Sequence, residues 1–361
     1  MVMVVLSRAL LLFACPSERV CLPVCKSRVG QPLCTAIDDD LLDTKFSDEW
    51  STFRAVAGRV IWSKPSPVSD ADVQVHEHDR GWRTLSFVGS TFGVQSVGKV
   101  VNGCVEPRAI ANDYLKTMCA VAFSATATSE HMSGAAATSA PMRMLFLGMG
   151  GGTLPTLLCH HLPPTEASLM QAVEFDSAVA DAARECLGLD ARVRVDVGDA
   201  YQWIRDHAAR LASSPGVSPD EPPSKFDAIF VDIFDGDNLT PAAFYSAEFL
   251  SAVRTSLTPR GVVVHNMHSG GAALDINLAQ ASEAYARAFP PGSCARIPAL
   301  RRGNTVVAAA ATPGLFAQPD ALVDAASWAR SRYDLLFDAA GRCQGLQPVA
   351  PRQCADLSPM K

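Results

Sequence analysis

The stretch Met144-Leu-Phe-Leu-Gly-Met-Gly-Gly-Gly-Thr-Leu-Pro155 decides the fold. Its first four residues form a continuous apolar run, as a strand buried on both faces requires. Glycines follow at 148, 150, 151 and 152. Glycine lets the backbone turn tightly from strand to helix and lets a ligand approach the chain closely. The spacing is G-x-G-x-G, from Gly148, Gly150 and Gly152. The six-residue dinucleotide fingerprint needs glycine at 153, where threonine stands, which disfavours a nicotinamide cofactor. Alone, the loop supports a nucleotide of some kind, and a purely structural turn would use the same residues.

Four further strand-like segments follow, each ending on a polar or small residue. Ser168–Val173 ends at Glu174, Val193–Val197 at Gly198-Asp199, Phe226–Val231 at Asp232 and Gly261–His265 at Asn266. Helical spacing separates them, at Leu154–Leu162, Ser177–Leu187, Ala200–Leu211, Ala243–Leu257 and Leu274–Phe289. Ser293–Ala299 and Asn304–Ala310 supply two last strands. The pattern predicts an α/β, Rossmann-like domain over 141–312, with a seven-strand sheet.

Upstream, residues 38–123 predict a small β-rich domain plus a helix. Val73–His78 alternates apolar and polar, Asp79-Arg-Gly81 is a turn signal, and Trp82–Phe87 returns as the partner strand. Pro107–Phe123 has helical spacing, with Ile110, Tyr114, Met118 and Val121 on one stripe. The Ala/Ser/Thr-rich stretch 124–140 reads as a low-complexity linker, and Ser213–Ser224 as a Pro/Ser-rich loop. Residues 313–361 form a carboxyl-terminal helical extension and tail.

Residues 1–37 differ from the rest. Arg8, Arg19, Lys26 and Arg28 stand against one acid, Glu18, beside the short apolar run Ala9–Ala14. Such a leader reads as a targeting segment or a disordered amino terminus, for an enzyme of an organelle (plastid or mitochondrion) or the cytoplasm. A net charge of −6 over 361 residues offers no basic footprint for nucleic acid. No apolar run is long enough to span a bilayer. The 11 cysteines are scattered with no CxxC pair, so no metal is expected.

In a doubly wound sheet, ligands sit at the carboxyl ends of the strands. Glu174, some twenty residues past the glycines, is placed to accept hydrogen bonds from ribose hydroxyls, while Asp176 suits a helix N-cap. Asp199, with Ala200, is placed for an adenine amino group, though an N-cap would also use it. Asp232-Ile-Phe-Asp235-Gly-Asp237 follows the fourth strand. There Asp232 and Asp235 are the candidate catalytic carboxylates, because an amine must be neutral to attack and a carboxylate can orient it and take its proton. His265 suits packing better than chemistry.

Together these residues resemble the spermidine-synthase-like branch of the class I S-adenosylmethionine-dependent methyltransferases, over roughly residues 59–310. Glu174-Phe-Asp176, Gly198-Asp199-Ala200 and Asp232-Ile-Phe-Asp235 match its ribose acid, adenine acid and paired-carboxylate loop. Within the branch, Leu147–Pro155 is most similar to the carboxyl-terminal half of the methyltransferase-like family that modifies elongation factor 1-alpha. The resemblance implies S-adenosyl-L-methionine held by Gly148, Gly150, Gly151, Gly152, Glu174, Asp199, Ala200 and Asp232. It also implies an amine substrate, protein or small molecule, near Tyr114, and is compatible with a homodimer.

Aminopropyltransferases carry an aspartate where this chain has Gly151. They also continue Tyr114 differently, where Leu115-Lys116 stands here, and a lysine near the pocket would repel a dicationic amine. Methyl transfer is therefore expected. Aminopropyl transfer from decarboxylated S-adenosylmethionine is the alternative, and a non-catalytic cofactor-binding module a further one.

Overall fold

Apolar and polar residues alternate beyond Arg59, and five antiparallel strands form there: β1 (Arg59–Pro65), β2 (Asp72–Glu77), β3 (Trp82–Phe87), β4 (Val94–Val101) and β5 (Cys104–Val105), paired in that order. The Asp79-Arg-Gly81 turn closes with positive φ at Arg80 and Gly81. The computed structural model describes residues 46, 48–50, 58–89, 93–132, 142–162, 169–213, 224–301 and 303–351. These lie within one unit, Thr35–Lys361. The leader at 1–37 lies outside the described residues.

Helix α1 (Asp113–Met132) leads to the second sheet. Strands β6 (Arg143–Leu147), β7 (Leu169–Glu174), β8 (Val193–Val197), β9 (Phe226–Val231) and β10 (Leu257–His268) alternate with helices α2 (Thr153–His161), α3 (Ser177–Cys186), α4 (Ala200–Ser213) and α5 (Ala247–Ser256). Then follow α6 (Ala272–Ala288), β11 (Cys294–Pro298), β12 (Asn304–Ala310), α7 (Pro319–Tyr333), α8 (Ala339–Cys343) and β13 (Gln347–Pro348). The sheet order is β13-β11-β12-β10-β9-β6-β7-β8. Strands β8, β7, β6, β9 and β10 run parallel, and β12 and β11 antiparallel. The sheet thus has eight strands among the described residues: the seven expected and the two-residue β13, too short to leave a periodic signal.

The apolar run at β6 is continuous because both faces of the sheet are covered. Met144 and Phe146 enter one core with α1, α2 and α7, and Leu145 and Leu147 enter the other with α4, α5 and α6. The first sheet packs Val73, Val75 and Leu85 on α3, through Ala178, Val179 and Ala182. That contact brings β4 alongside the glycine loop.

Three expectations change. The linker expected from 124 is helix as far as Met132. Ser124, Ala125, Thr126, Thr128 and Ser129 are buried. Ser124, Thr126 and Thr128 each return a hydroxyl to the carbonyl four residues back, so small polar side chains pack without unpaired groups. The helix expected from Pro107 starts only at Asp113. The one expected over Ala243–Leu257 is divided: a 3-10 turn at Ala242–Tyr245 precedes Ser246, whose extended backbone and hydroxyl cap α5 at Phe249 N.

Candidate active site

The glycine loop follows β6 and faces the ends of β7 and β9. Gly148, Gly150 and Gly152 have φ of 80°, 54° and 74°, which other residues rarely adopt. A Cβ at Gly148 would lie 2.4 Å from the Asp232 carbonyl oxygen, so this glycine lets β6 and β9 end side by side. Gly151 N–H donates to Ser96 Oγ of β4 at 2.8 Å. A Cβ at Gly151 would lie 2.5 Å from Leu187 Cδ1 and 2.7 Å from Ser96 Cβ. The first sheet and the end of α3 therefore fill the place where a larger loop residue would project.

Glu174 is buried and braces this loop. Its Oε2 accepts N–H bonds from Met149 (3.1 Å) and Gly150 (2.9 Å), and its Oε1 accepts one from Asp176 (3.1 Å). Burial raises its pKa above the usual carboxylate value, against these three donors. A carboxylate offers about four lone-pair sites. Three are taken, so the remaining acceptor position is on Oε1. Asp176 caps α3, accepting from Ala178 N at 2.7 Å.

Asp199 opens α4, accepting from Tyr201 N at 2.8 Å, and is exposed, while Ala200 is buried. The cap uses Oδ1. Gly198 has no heavy atom within 4 Å of where a Cβ would stand. Two large apolar side chains lie open at these strand ends, Phe175 (58% exposed) and Val197 (53%). Val197 pairs with Glu174 across β7 and β8. Sequence reasoning missed both, because exposure is invisible in a period-two pattern.

Asp232 is the centre of the second half of the site. Its Oδ1 accepts from Asn266 Nδ2 at 2.9 Å and its Oδ2 from Tyr114 O–H at 3.0 Å. Asn304 Nδ2 in turn donates to Asn266 Oδ1 at 3.0 Å. Burial pushes the Asp232 pKa up to about 6, although both donors favour the ionised form. Burial first, and Asp232 second, hold the Tyr114 phenol well above its ordinary value, so the tyrosine stays a proton donor. Asn266 and Asn304 were not singled out from the sequence. The available signal was the position of Asn266 just after the apolar stretch Gly261–His265, inside the longer strand β10.

Asp235 does not join this cluster. It is exposed, and its Oδ1 accepts N–H bonds from Asp237 (2.9 Å) and Leu239 (3.0 Å), closing its own loop around Asn238 at φ 60°. The two carboxylates of the expected pair thus have different partners: Asp232 meets Tyr114 and Asn266, and Asp235 meets its own loop. Nor does Lys116 stand beside Tyr114. Lys116 is 3% exposed and two positions from Tyr114, and helix residues so spaced project from different faces. His265 is buried against Tyr285 in the core, with its Nδ1 3.0 Å from the phenol oxygen. Among the described residues no cluster of His, Cys, Asp or Glu is suited to a metal, and no helix is long and apolar enough to cross a membrane.

A Rossmann-like α/β unit with an antiparallel sheet in front of it, a braced glycine loop and acids at successive strand ends is the architecture of a spermidine-synthase-type fold. The chain superposes on the crystal structure of "a probable spermidine synthase" from Corynebacterium glutamicum with a TM-score of 0.53 at 18% identity, covering 85% of this chain and 99% of that one. In sequence it is 32% identical over 129 residues to the human "eEF1A lysine and N-terminal methyltransferase", 35% of this chain and 18% of that protein. It is 30% identical over 186 residues to the "Probable polyamine aminopropyl transferase" of Bifidobacterium longum, 52% of this chain and 33% of that protein. The chain thus spans under a fifth of the methyltransferase and a third of the aminopropyltransferase. No protein-family model matches it. The resemblance to the spermidine-synthase-like branch holds in sequence and in fold.

Proposed function

We propose that this protein is a transferase that uses S-adenosylmethionine to methylate an amine, with Asp232 receiving the acceptor. One observation carries the reading: at neighbouring strand ends, a glycine loop braced by Glu174 faces a carboxylate, Asp232, held by one donor on each oxygen. The homology to a protein-amine methyltransferase supports it.

The residues present fit an adenosyl cofactor. Glu174 Oε1 keeps one acceptor position for a ribose hydroxyl. Phe175 and Val197 offer apolar surface to a flat base, beside the open ground at Gly198 and the carboxylate of Asp199. When bound, S-adenosylmethionine supplies a methyl group on a sulfonium sulfur, which leaves with the C–S electron pair as a neutral amine attacks in line. Asp232 prepares that amine. An alkylammonium has a pKa of about 10.4 and must lose a proton first. With Tyr114 and Asn266 each taking one lone pair, both Asp232 oxygens retain another to accept an N–H and then its proton. Tyr114 and Asn266 keep the carboxylate from rotating while it does so.

Aminopropyl transfer is the second reading, favoured by the relative that matches over half of this chain. Gly151 weighs against it. At the position where aminopropyltransferases carry an aspartate, Leu187 and Ser96 occupy the space a side chain would need. The test offers the purified protein labelled S-adenosylmethionine with protein and small-molecule amines and, separately, decarboxylated S-adenosylmethionine with putrescine. Methyl label on an amine is expected. Aminopropylated putrescine would overturn the reading, and absence of binding by either cofactor would remove both.

A further inference from the structure

Asp113 opens α1 and is buried against Arg342 of α8, which is 2% exposed. The guanidinium Nη1 donates to Asp113 Oδ1 at 2.8 Å, to the Asp113 carbonyl at 3.3 Å and to Thr117 Oγ1 at 3.4 Å. Asp113 Oδ2 accepts the Arg301 N–H at 3.1 Å. One carboxylate therefore joins the first turn of α1, the carboxyl-terminal helix α8 and the turn between β11 and β12.

Two of those parts each carry one arm of the support for Asp232. Tyr114, next to Asp113, donates to Asp232 Oδ2. Asn304, three residues beyond Arg301, donates to Asn266 Oδ1 and so orients the amide whose Nδ2 reaches Asp232 Oδ1. With its oxygen engaged by Asn304, the Asn266 amide cannot turn over without losing both bonds. Replacing a buried ion pair with apolar residues of similar size is often neutral for stability. The geometry points instead to placement: we propose that Arg342 and Asp113 are a positioning pair for Asp232, setting Tyr114 at one carboxylate oxygen and the Asn304–Asn266 relay at the other. The inference rests on Asp232 being the acceptor-side carboxylate.

The groups facing the Asp232 carboxylate are Tyr114 from α1 and Asn266 from β10. Asp235 turns onto its own loop, and His268, at the end of β10, stacks on Phe234 with its pKa lowered by burial. A change in either donor therefore registers in the titration of Asp232 itself. The experiment follows that carboxyl by 13C NMR in the full chain, its signal assigned by loss in Asp232→Asn, so the readout does not depend on turnover. Arg342→Met strands a buried carboxylate, so the double variant Arg342→Met/Asp113→Leu is measured as well, leaving no unpaired charge. In the folded double variant the Asp232 midpoint is expected to move alkaline by about one pH unit, the scale of one lost charge-assisted hydrogen bond. Adding Tyr114→Phe should move it by less than Tyr114→Phe does alone, while S-adenosylhomocysteine affinity by calorimetry stays within about twofold. An unmoved midpoint, or a shift fully additive with that of Tyr114→Phe, overturns the proposal. A chain that methylates no amine overturns the proposed function and leaves this result to be read separately.

Discussion

Replacing Asp232 with asparagine should abolish amine methylation and, at neutral pH, stabilise the protein. The carboxyl is held at about 6 in the folded state against 3.8 when free, because burial penalises its charge. The folded state therefore binds more protons than the unfolded one between these values. Stability linked to this group is complete below pH 3.8 and is lost as pH rises through about 6. A difference of about two pH units corresponds to roughly 3 kcal/mol of folding free energy withheld at pH 7. An amide of the same size escapes that penalty. It can accept from Asn266 through its oxygen and donate to the Tyr114 oxygen, so neither present partner is orphaned. The variant should gain up to roughly 3 kcal/mol at pH 7 and next to nothing near pH 4. Urea denaturation of both proteins across that range measures the gain directly. Equal stability at pH 7, or a gain that grows on acidification, would refute the assignment of Asp232 as a carboxylate raised by burial.

Three further predictions concern the cofactor side and the core. Glu174→Gln should weaken S-adenosylhomocysteine binding by about 10- to 150-fold in calorimetry, the range for roughly 1.5–3 kcal/mol of lost charge-assisted bonding; unchanged affinity would remove the ribose assignment. Gly148→Ala must place a methyl 2.4 Å from the Asp232 carbonyl at a φ of 80°. It should lower unfolding free energy by more than about 2 kcal/mol, and a wild-type denaturation curve would show that the loop yields. Cys119, Cys159, Cys186, Cys294 and Cys343 are buried thiols with burial-raised pKa values. Alkylation followed by mass mapping should leave them unmodified at pH 8 until the protein is denatured, and prompt labelling of any of them in the native protein would contradict the packing.

What the sequence determined by itself is local. A strand covered on both faces must be apolar throughout, and the turn that follows must be small enough to leave space, so Met144–Pro155 announced both the Rossmann-like unit and the glycine loop at the end of its first strand. The acids at 174, 199 and 232 were legible from the strand–helix alternation, since the end of a strand pattern is a position in sequence as well as in space. Tertiary structure decided which groups meet. Tyr114 and Asn266 converge on Asp232 from positions 118 and 34 residues away, and only the sheet order and the packing of α1 bring them there. Asp232 and Asp235 look equivalent in one acidic loop, yet the left-handed turn at Asn238 folds the second back on itself. The stretch from 124 has a linker's composition, but a helix lying close on a sheet needs just such small residues, with hydroxyls that can bond back to their own backbone. Composition reports what a segment is made of. Only the surface it packs against decides whether small residues mean looseness or close contact.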